Sequence, residues 1–423
     1  MVNWKPWRKT LPPLYEAVRA RPFVWLLLWW VTGILCQRFC PLGWSGPVAL
    51  AVLAVPILAG GVSSDGRGMY ERRWRWGAVY AALTVLLSMA VTTMAERRAA
   101  RIGADDGQEK GVIAEMAAQS QWRWVEKIDE LSLTDAEKAV LAALTTGYKK
   151  ALPRDVRKRF AVSGVAHILA VSGFHVAVIY GFVSFLLGLL LPKRFPLRIL
   201  RWALTVGAVW MFVQVSGMAA SSIRAGCMLT VYLTGKYLAR RKADSYNNLA
   251  ATAFIMLACN PFFLFDIGFQ LSFTAVFFIL YLQPPLNRLI DVRNPLLAKP
   301  WGGVTVSIAA QTGTAFLCSY YFGYFSLTFL FANVPVMLYA SVLIPTALVW
   351  LLLPTDGGLL QSVVERLTHY LVYTVDLFGS FPEAAYPFRF SLAGVIAGYA
   401  AMGAAFFAAA IWSRRKRRLI QGG

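Results

Sequence analysis

Apolar residues run along this chain in long blocks, separated by short polar or basic joints. The blocks fall at 22–37, 46–61, 77–95, 164–192, 202–218, 225–239, 249–265, 268–284, 303–320, 325–353 and 390–412, and 325–353 is long enough for two short pieces. A bilayer core takes about 20 apolar residues per helical crossing, so the pattern predicts about 10 to 12 spans. Two polar stretches interrupt it. Residues 96–160 carry 13 Lys or Arg against 11 Asp or Glu, and "LTDAEKAVLAALTTGYKKALPRDVRKRF" within them reads as helical, with Asp135 and Glu137 near its start and bases at its end. This segment is too short for a sizeable core of its own and is expected to pack on the membrane bundle. In 355–389, "LLQSVVERLTHYLVYTVDLF" places apolar residues at helical spacing beside Glu365, Arg366, His369 and Asp376, as an interfacial amphipathic helix does. The expected class is all-α, a polytopic transmembrane bundle with broken or re-entrant helices. Its expected divisions are spans in 1–95, a short external helical segment at 96–160, a core at 161–353, the interfacial helix at 354–389, and a last span with a basic tail at 390–423.

Composition agrees with that pattern. Hydrophobic residues make up 58% of the 423, and the mean hydropathy of +0.54 excludes an ordinary soluble domain. The 15 Trp and 17 Tyr suit a protein that meets two membrane interfaces. A net charge of +21 is partly topology and leaves room for a polyanion, either lipid head groups or nucleic acid. Basic residues cluster at Lys5, Arg8, Lys9, Arg19 and Arg21, at Lys193, Arg194, Arg198 and Arg201, at 240–242, and at 414–418. All four clusters lie in the cytoplasm if 325–353 crosses twice; both termini are then inside and 96–160 is outside. The basic N-terminus lacks a small-residue cleavage site, so no removed signal peptide is expected. Five cysteines include no CxxC pair; Cys36 and Cys40 lie near the outer end of the first span, where they are close enough in sequence to pair.

Three polar clusters sit where the pattern is most apolar. "HILAVSGFHV" holds two of the chain's three histidines, His167 and His175, within a run from Phe160 to Pro192 that has no charged residue. "SGMAASSIRAGCM" holds Arg224, and "NPFFLFDIGFQLSF" holds Asp266 and Gln270. A charge in mid-span costs about 2.5–3.5 kcal/mol on insertion scales, so such residues face protein or a watery cavity. The plainer alternative is that Arg224 occupies a turn and that Asp266 and Gln270 cap a helix start. As one straight helix, 160–191 would reach about 48 Å, so it either protrudes or breaks, and Gly173 is the natural place for a break. Small residues, among them Gly164 and Gly173, permit close helix approach.

Several chemistries fit these residues. Ser172 with His175 or His167 would make an intramembrane hydrolase, although no third partner or oxyanion loop accompanies them. A metal site from both histidines and Asp266 conflicts with their eight-residue spacing. Neutral, hydrogen-bonding histidines in a packed or hydrated passage are the reading preferred here, with no cofactor or metal. An anion carrier using Arg224 at a broken helix is a further alternative.

"SGVAHILAVSGFHV" (Ser163–Val176) resembles the signature of the ComEC competence-protein family, the inner-membrane channel for incoming DNA in natural transformation. "SGMAASSIRAGCM" is similar to that family's Ser-x-x-Arg-Ala-x-x-Met element, here Ser221, Arg224, Ala225 and Met228. "NPFFLFDIGFQLSF" is similar to its Asn-Pro…Asp-x-Gly-Phe-Gln-Leu-Ser-Phe element, with Asp266, Gly268, Gln270 and Ser272. "FANVPV" supplies the later Asn333 and Pro335. The resemblance implies a multi-pass protein of the cytoplasmic membrane that translocates single-stranded DNA rather than an enzyme. His167, Ser172, His175, Ser221, Arg224, Asp266, Gln270, Ser272 and Asn333 would then line or cap the passage. Gly164, Gly173, Gly268 and Pro335 would pack or break its helices. Arg154, Arg157, Lys158 and Arg159 would meet DNA or lipid head groups from outside. Many relatives carry an external OB-like domain and a metallo-β-lactamase-like domain; neither pattern is evident in this chain. A separate nuclease, a periplasmic DNA receptor and a cytoplasmic DNA-translocating motor are therefore the expected partners, with membrane lipid.

Overall fold

A computed structural model of the chain describes residues 21–41, 73–104, 112–191, 195–237, 244–292, 294–326, 328–353, 358–381 and 385–421. The described residues are almost entirely helical, and they group into two compact units. Each has its own packing logic.

The smaller unit lies within Pro12–Glu109 and Lys242–Gln270. It contains α1 (Pro22–Phe39), α2 (Arg73–Ala104), a further helix (Ser245–Cys259) and a 3-10 turn (Pro261–Phe265). Gly33 is why α1 and α2 lie so close: a Cβ there would stand 2.5 Å from the Val85 carbonyl oxygen and 2.6 Å from Ser88 Cβ. Ser88 Oγ donates to the Trp30 carbonyl at 2.6 Å, so the hydroxyl is satisfied across the interface. At one end, Arg21 forms a two-pronged ion pair with Asp244 at 2.8 and 2.9 Å. Cys36 and Cys40 are both free thiols.

The larger unit lies within Lys110–Arg241 and Leu271–Gly423. It opens with α3 (Val112–Asp129), α4 (Asp135–Thr146), α5 (Arg154–Val162), the one-turn α6 (Ala166–Leu169), α7 (Gly173–Leu190), α8 (Phe195–Val215) and α9 (Ala220–Tyr237). With the Ser245–Cys259 helix counted as α10, there follow α11 (Ile267–Asn287), which belongs to this unit from Leu271 on, α12 (Pro295–Phe322), α13 (Phe329–Leu352), α14 (Leu359–Gly379) and α15 (Leu392–Gln421). A short antiparallel ribbon pairs β1 (Tyr324–Ser326) with β2 (Ala385–Pro387). Residues Val140 to Thr146 of α4 are all buried, which makes it a central core helix with apolar residues all round. Its apolar side chains join one cluster with Val156 and Phe160 of α5, Val176 of α7, Val336 and Leu343 of α13, and Leu371 of α14.

Polar contacts hold α14 to the helices of the 112–162 segment. Glu137 closes a capping box with Thr134, whose backbone N–H and hydroxyl both donate to Oε2 at 2.9 and 2.8 Å. Its other oxygen meets His369 Nδ1 of α14 at 2.8 Å. Glu365 accepts the Ser132 backbone N–H at 3.0 Å, and Arg159 pairs with Asp376 at 2.9 Å. The two polar stretches are thus neighbours in space.

Six described helical segments are long and apolar enough to cross a membrane: Pro22–Phe39, Val79–Ala100, Gly173–Leu190, Leu197–Val215, Ile267–Asn287 and Phe329–Leu352. Leu392–Ala408 is a shorter apolar stretch, and the predicted block at 46–61 lies outside the described residues. One expectation is corrected. Residues 325–353 do not form two short crossings: 24 of them form the single helix α13, running through Pro335 and Pro345. At 1.5 Å per residue it is about 36 Å long, one crossing and no more. The condition that would place all four basic clusters on one side is therefore not met. Ordinary buried hydroxyls cause no penalty in these helices; Thr145, Thr146, Thr205 and Thr368 each donate to the carbonyl one turn back.

Candidate functional site

The long apolar run breaks twice, and each break has a local cause. After α5, Gly164 takes a left-handed φ of 80°. A Cβ at that position would lie 2.6 Å from Phe329 Cβ and 2.8 Å from Ser326 Oγ, so only glycine fits. Ser326 Oγ also donates to the Val162 carbonyl at 2.8 Å, which fixes the end of α5. After the short α6, Ala170 turns extended and Ser172 becomes the N-cap of α7, with Gly173 its first residue.

Ser172 and His175 close a capping box in which an imidazole takes the place usually held by glutamate. His175 Nδ1 accepts the Ser172 backbone N–H at 3.2 Å, and Ser172 Oγ lies at the same distance from that nitrogen. The ring is fully buried. Ser221 Oγ of α9 donates to the Val171 carbonyl, satisfying the broken backbone. Gly173 lies 3.8 Å from Ala225 by its notional Cβ, so α9 is seated against the break on both sides of Arg224. Arg224 itself is only 5% exposed. Gly147, the left-handed C-cap of α4, closes the site: a Cβ there would meet the Ser216 carbonyl oxygen at 2.7 Å and Val171 Cγ2 at 3.3 Å.

The break therefore gathers His167, Ser172, His175, Ser221 and Arg224 within the larger unit. His167 is exposed although Val165, Ile168 and Leu169 around it are buried, so α6 turns one face outward. Asn333 is 8% exposed on α13, four residues beyond Phe329, and its Oδ1 is buried without a hydrogen-bond partner. Pro335 does not interrupt α13.

Asp266 and Gln270 belong to the smaller unit and act as caps there. Asp266 Oδ2 accepts the Phe269 N–H at 2.7 Å, and Gln270 Nε2 donates to the Leu264 carbonyl at 3.0 Å. Gly268 lies in the same first turn of α11, and Ser272 follows one turn on, half-buried. On α5, Arg154, Arg157 and Lys158 are exposed, whereas Arg159 is held between Asp155 and Asp376, each at 2.9 Å. No group of three or more His, Cys, Asp or Glu side chains able to hold a metal occurs among the described residues.

Lys149 was not singled out by the sequence. It follows the Gly147 turn and lies within electrostatic reach of His175, as does His167. The signal available was the Gly-Tyr-Lys-Lys step directly after a helix end.

Comparison with known proteins matches this region. The family model "Competence protein" matches residues 144–415, well over half of the chain. ComE operon protein 3 of Bacillus subtilis (strain 168) is 32% identical over 219 residues, 51% of this chain and 26% of that protein. An uncharacterized protein of Aquifex aeolicus (strain VF5) is 34% identical over 175 residues, 41% of this chain and 38% of its own length. The match thus takes up well under half of either relative. No solved structure matches. Signature, broken helix and family model all fall on the same residues, and the chain belongs to the competence-protein family, ComEC.

Proposed function

We propose that this multi-pass membrane protein conducts single-stranded DNA across the cytoplasmic membrane, through a passage built at the break between α6 and α7. Its family membership suggests a role in DNA uptake in competence. The observation that carries the finer reading is the break itself. An apolar run without charges is interrupted at Ala170–Ser172, and His175, Ser221 and Arg224 collect around it. Broken helices and buried polar groups at membrane depth mark cavities rather than lipid-facing surface. A separate nuclease, a periplasmic receptor and a cytoplasmic motor remain the partners this reading calls for.

The hydrolase alternative draws less support. A serine nucleophile needs a base with a free lone pair, yet His175 Nδ1 already accepts the Ser172 backbone N–H. The pair reads as a helix cap. The test is entry of labelled DNA into the cytoplasm of a transformable strain lacking the protein. Loss of entry supports the channel; normal entry with accumulation of an organic anion outside sinks it in favour of a carrier. Ser172→Ala leaves most DNA entry intact in a channel and abolishes function in a hydrolase.

A further inference from the structure

The ring of His175 is oriented by its own helix start. Because Nδ1 accepts a backbone N–H, it carries no proton, and the neutral ring holds its single proton on Nε2. That Nε2 is buried and has no hydrogen-bond partner, on a side chain with no exposed surface. A donor so placed calls for an acceptor that the described protein groups do not supply.

Its surroundings say what kind of acceptor. Lys149 and His167 both lie within electrostatic reach of the ring, and Lys149 lies within reach of Arg157. Arg157 donates to the Lys149 carbonyl at 2.5 Å, which holds the 147–150 turn over the start of α5. Among the described residues no carboxylate pairs with Lys149, Arg157 or His167, and the acid on α5, Asp155, is taken by Arg159. Loss of hydration and the neighbouring Arg157 charge hold the Lys149 ammonium below its ordinary range. Lys149 and Arg157, two cations without a paired carboxylate, repel one another until an anion joins them. The first turn of α7 adds the positive end of an 18-residue helix. Lys149 and His167 keep exposed surface, whereas the His175 ring has none.

The geometry points to a phosphodiester-binding site formed by Lys149, His167 and the Nε2–H of His175, a subsite for the backbone of the translocating strand. The assignment rests on the channel reading above and adds a residue to it.

The test uses the full chain in nanodiscs of neutral phosphatidylcholine, a fluorescein-labelled dT20 oligonucleotide, and a KCl titration. Lys149→Gln is expected to weaken binding about tenfold and to lower the slope of log affinity against log salt by about 0.7, the share of one single-strand phosphate contact. Lys149→Arg restores both, and Lys138→Gln, a cation elsewhere in the same unit, changes neither. With 15N-histidine labelling of the wild-type protein, His175 shows a bare Nδ1 and a protonated Nε2, and the Nε2 resonance moves when dT20 is added.

If wild type binds dT20 but Lys149→Gln binds equally well with the same slope, the subsite is overturned while the channel reading stands. If the His175 resonance answers to phosphatidylglycerol and not to dT20, the site takes a lipid head group and the proposal fails. If wild type binds no dT20 and a strain lacking the protein takes up DNA normally, the channel reading and the subsite fall together.

Discussion

Gly164→Ala tests the helix break most directly, because two separate costs can be worked from the backbone. Gly164 sits at φ 80°, where an L side chain costs roughly 1–2 kcal/mol. The new methyl would also lie 2.6 Å from Phe329 Cβ and 2.9 Å from Phe329 Cα. Neither is the far end of a flexible chain, so α5 or α13 must move, and overpacking of this kind costs about 1–3 kcal/mol. The sum is about 2–5 kcal/mol, a large share of a total stability of about 5–15 kcal/mol. At about 2–4 °C per kcal/mol, the apparent melting temperature should fall by roughly 4–20 °C. The assay is intrinsic tryptophan fluorescence of the detergent-solubilised protein on heating. Gly188→Ala is the control: Gly188 lies in α7 with nothing within 4 Å of its notional Cβ. It should match or slightly exceed wild type, since alanine is the better helix former. A Gly164→Ala protein that melts with wild type would refute the claim that this glycine fixes the turn between α5 and α6.

Other outcomes follow from single contacts. Gly33→Ala should separate α1 from α2 and break the Ser88–Trp30 bond, lowering the melting temperature while Gly77→Ala, with open space around it, does not. Glu137→Gln should cost about 1–3 kcal/mol, because the Thr134 and His369 bonds lose a charged acceptor. Acid should have a related effect on wild type. Burial opposes ionisation of Glu137, but the Thr134 and His369 hydrogen bonds outweigh it and lower its pKa from 4.5. A depressed carboxyl contributes stability above the unfolded value, lost as pH falls below 4.5 through the folded one. A pH series of melting curves should show that loss in wild type and a flatter profile in Glu137→Gln. Asp376→Asn, which breaks a half-exposed pair with Arg159, should cost no more than about 1 kcal/mol.

How much of this was legible in the sequence differs by feature. Hydropathy alone determined an all-helical membrane protein, because each apolar block must bury about 20 residues and satisfy its backbone internally. The excess length of 160–191 foretold a break near Gly173, and the helix does restart there. Asp266 as a cap was also readable, since an acid before an apolar helix favours the positive end of that helix. Tertiary structure decided the rest. Nothing local reveals that Phe329–Leu352 is one helix, because two prolines suggest interruption and packing against α14 and the core keeps α13 continuous. The pairing of Glu137 with His369 joins positions 232 residues apart, beyond the reach of any periodicity. Lys149 reads as one more surface lysine until the Gly147 turn lays its loop on Val171. Local pattern reports which residues leave water; which of them meet is set by long-range packing, and the protonated nitrogen of His175 becomes known only once its neighbours are in place.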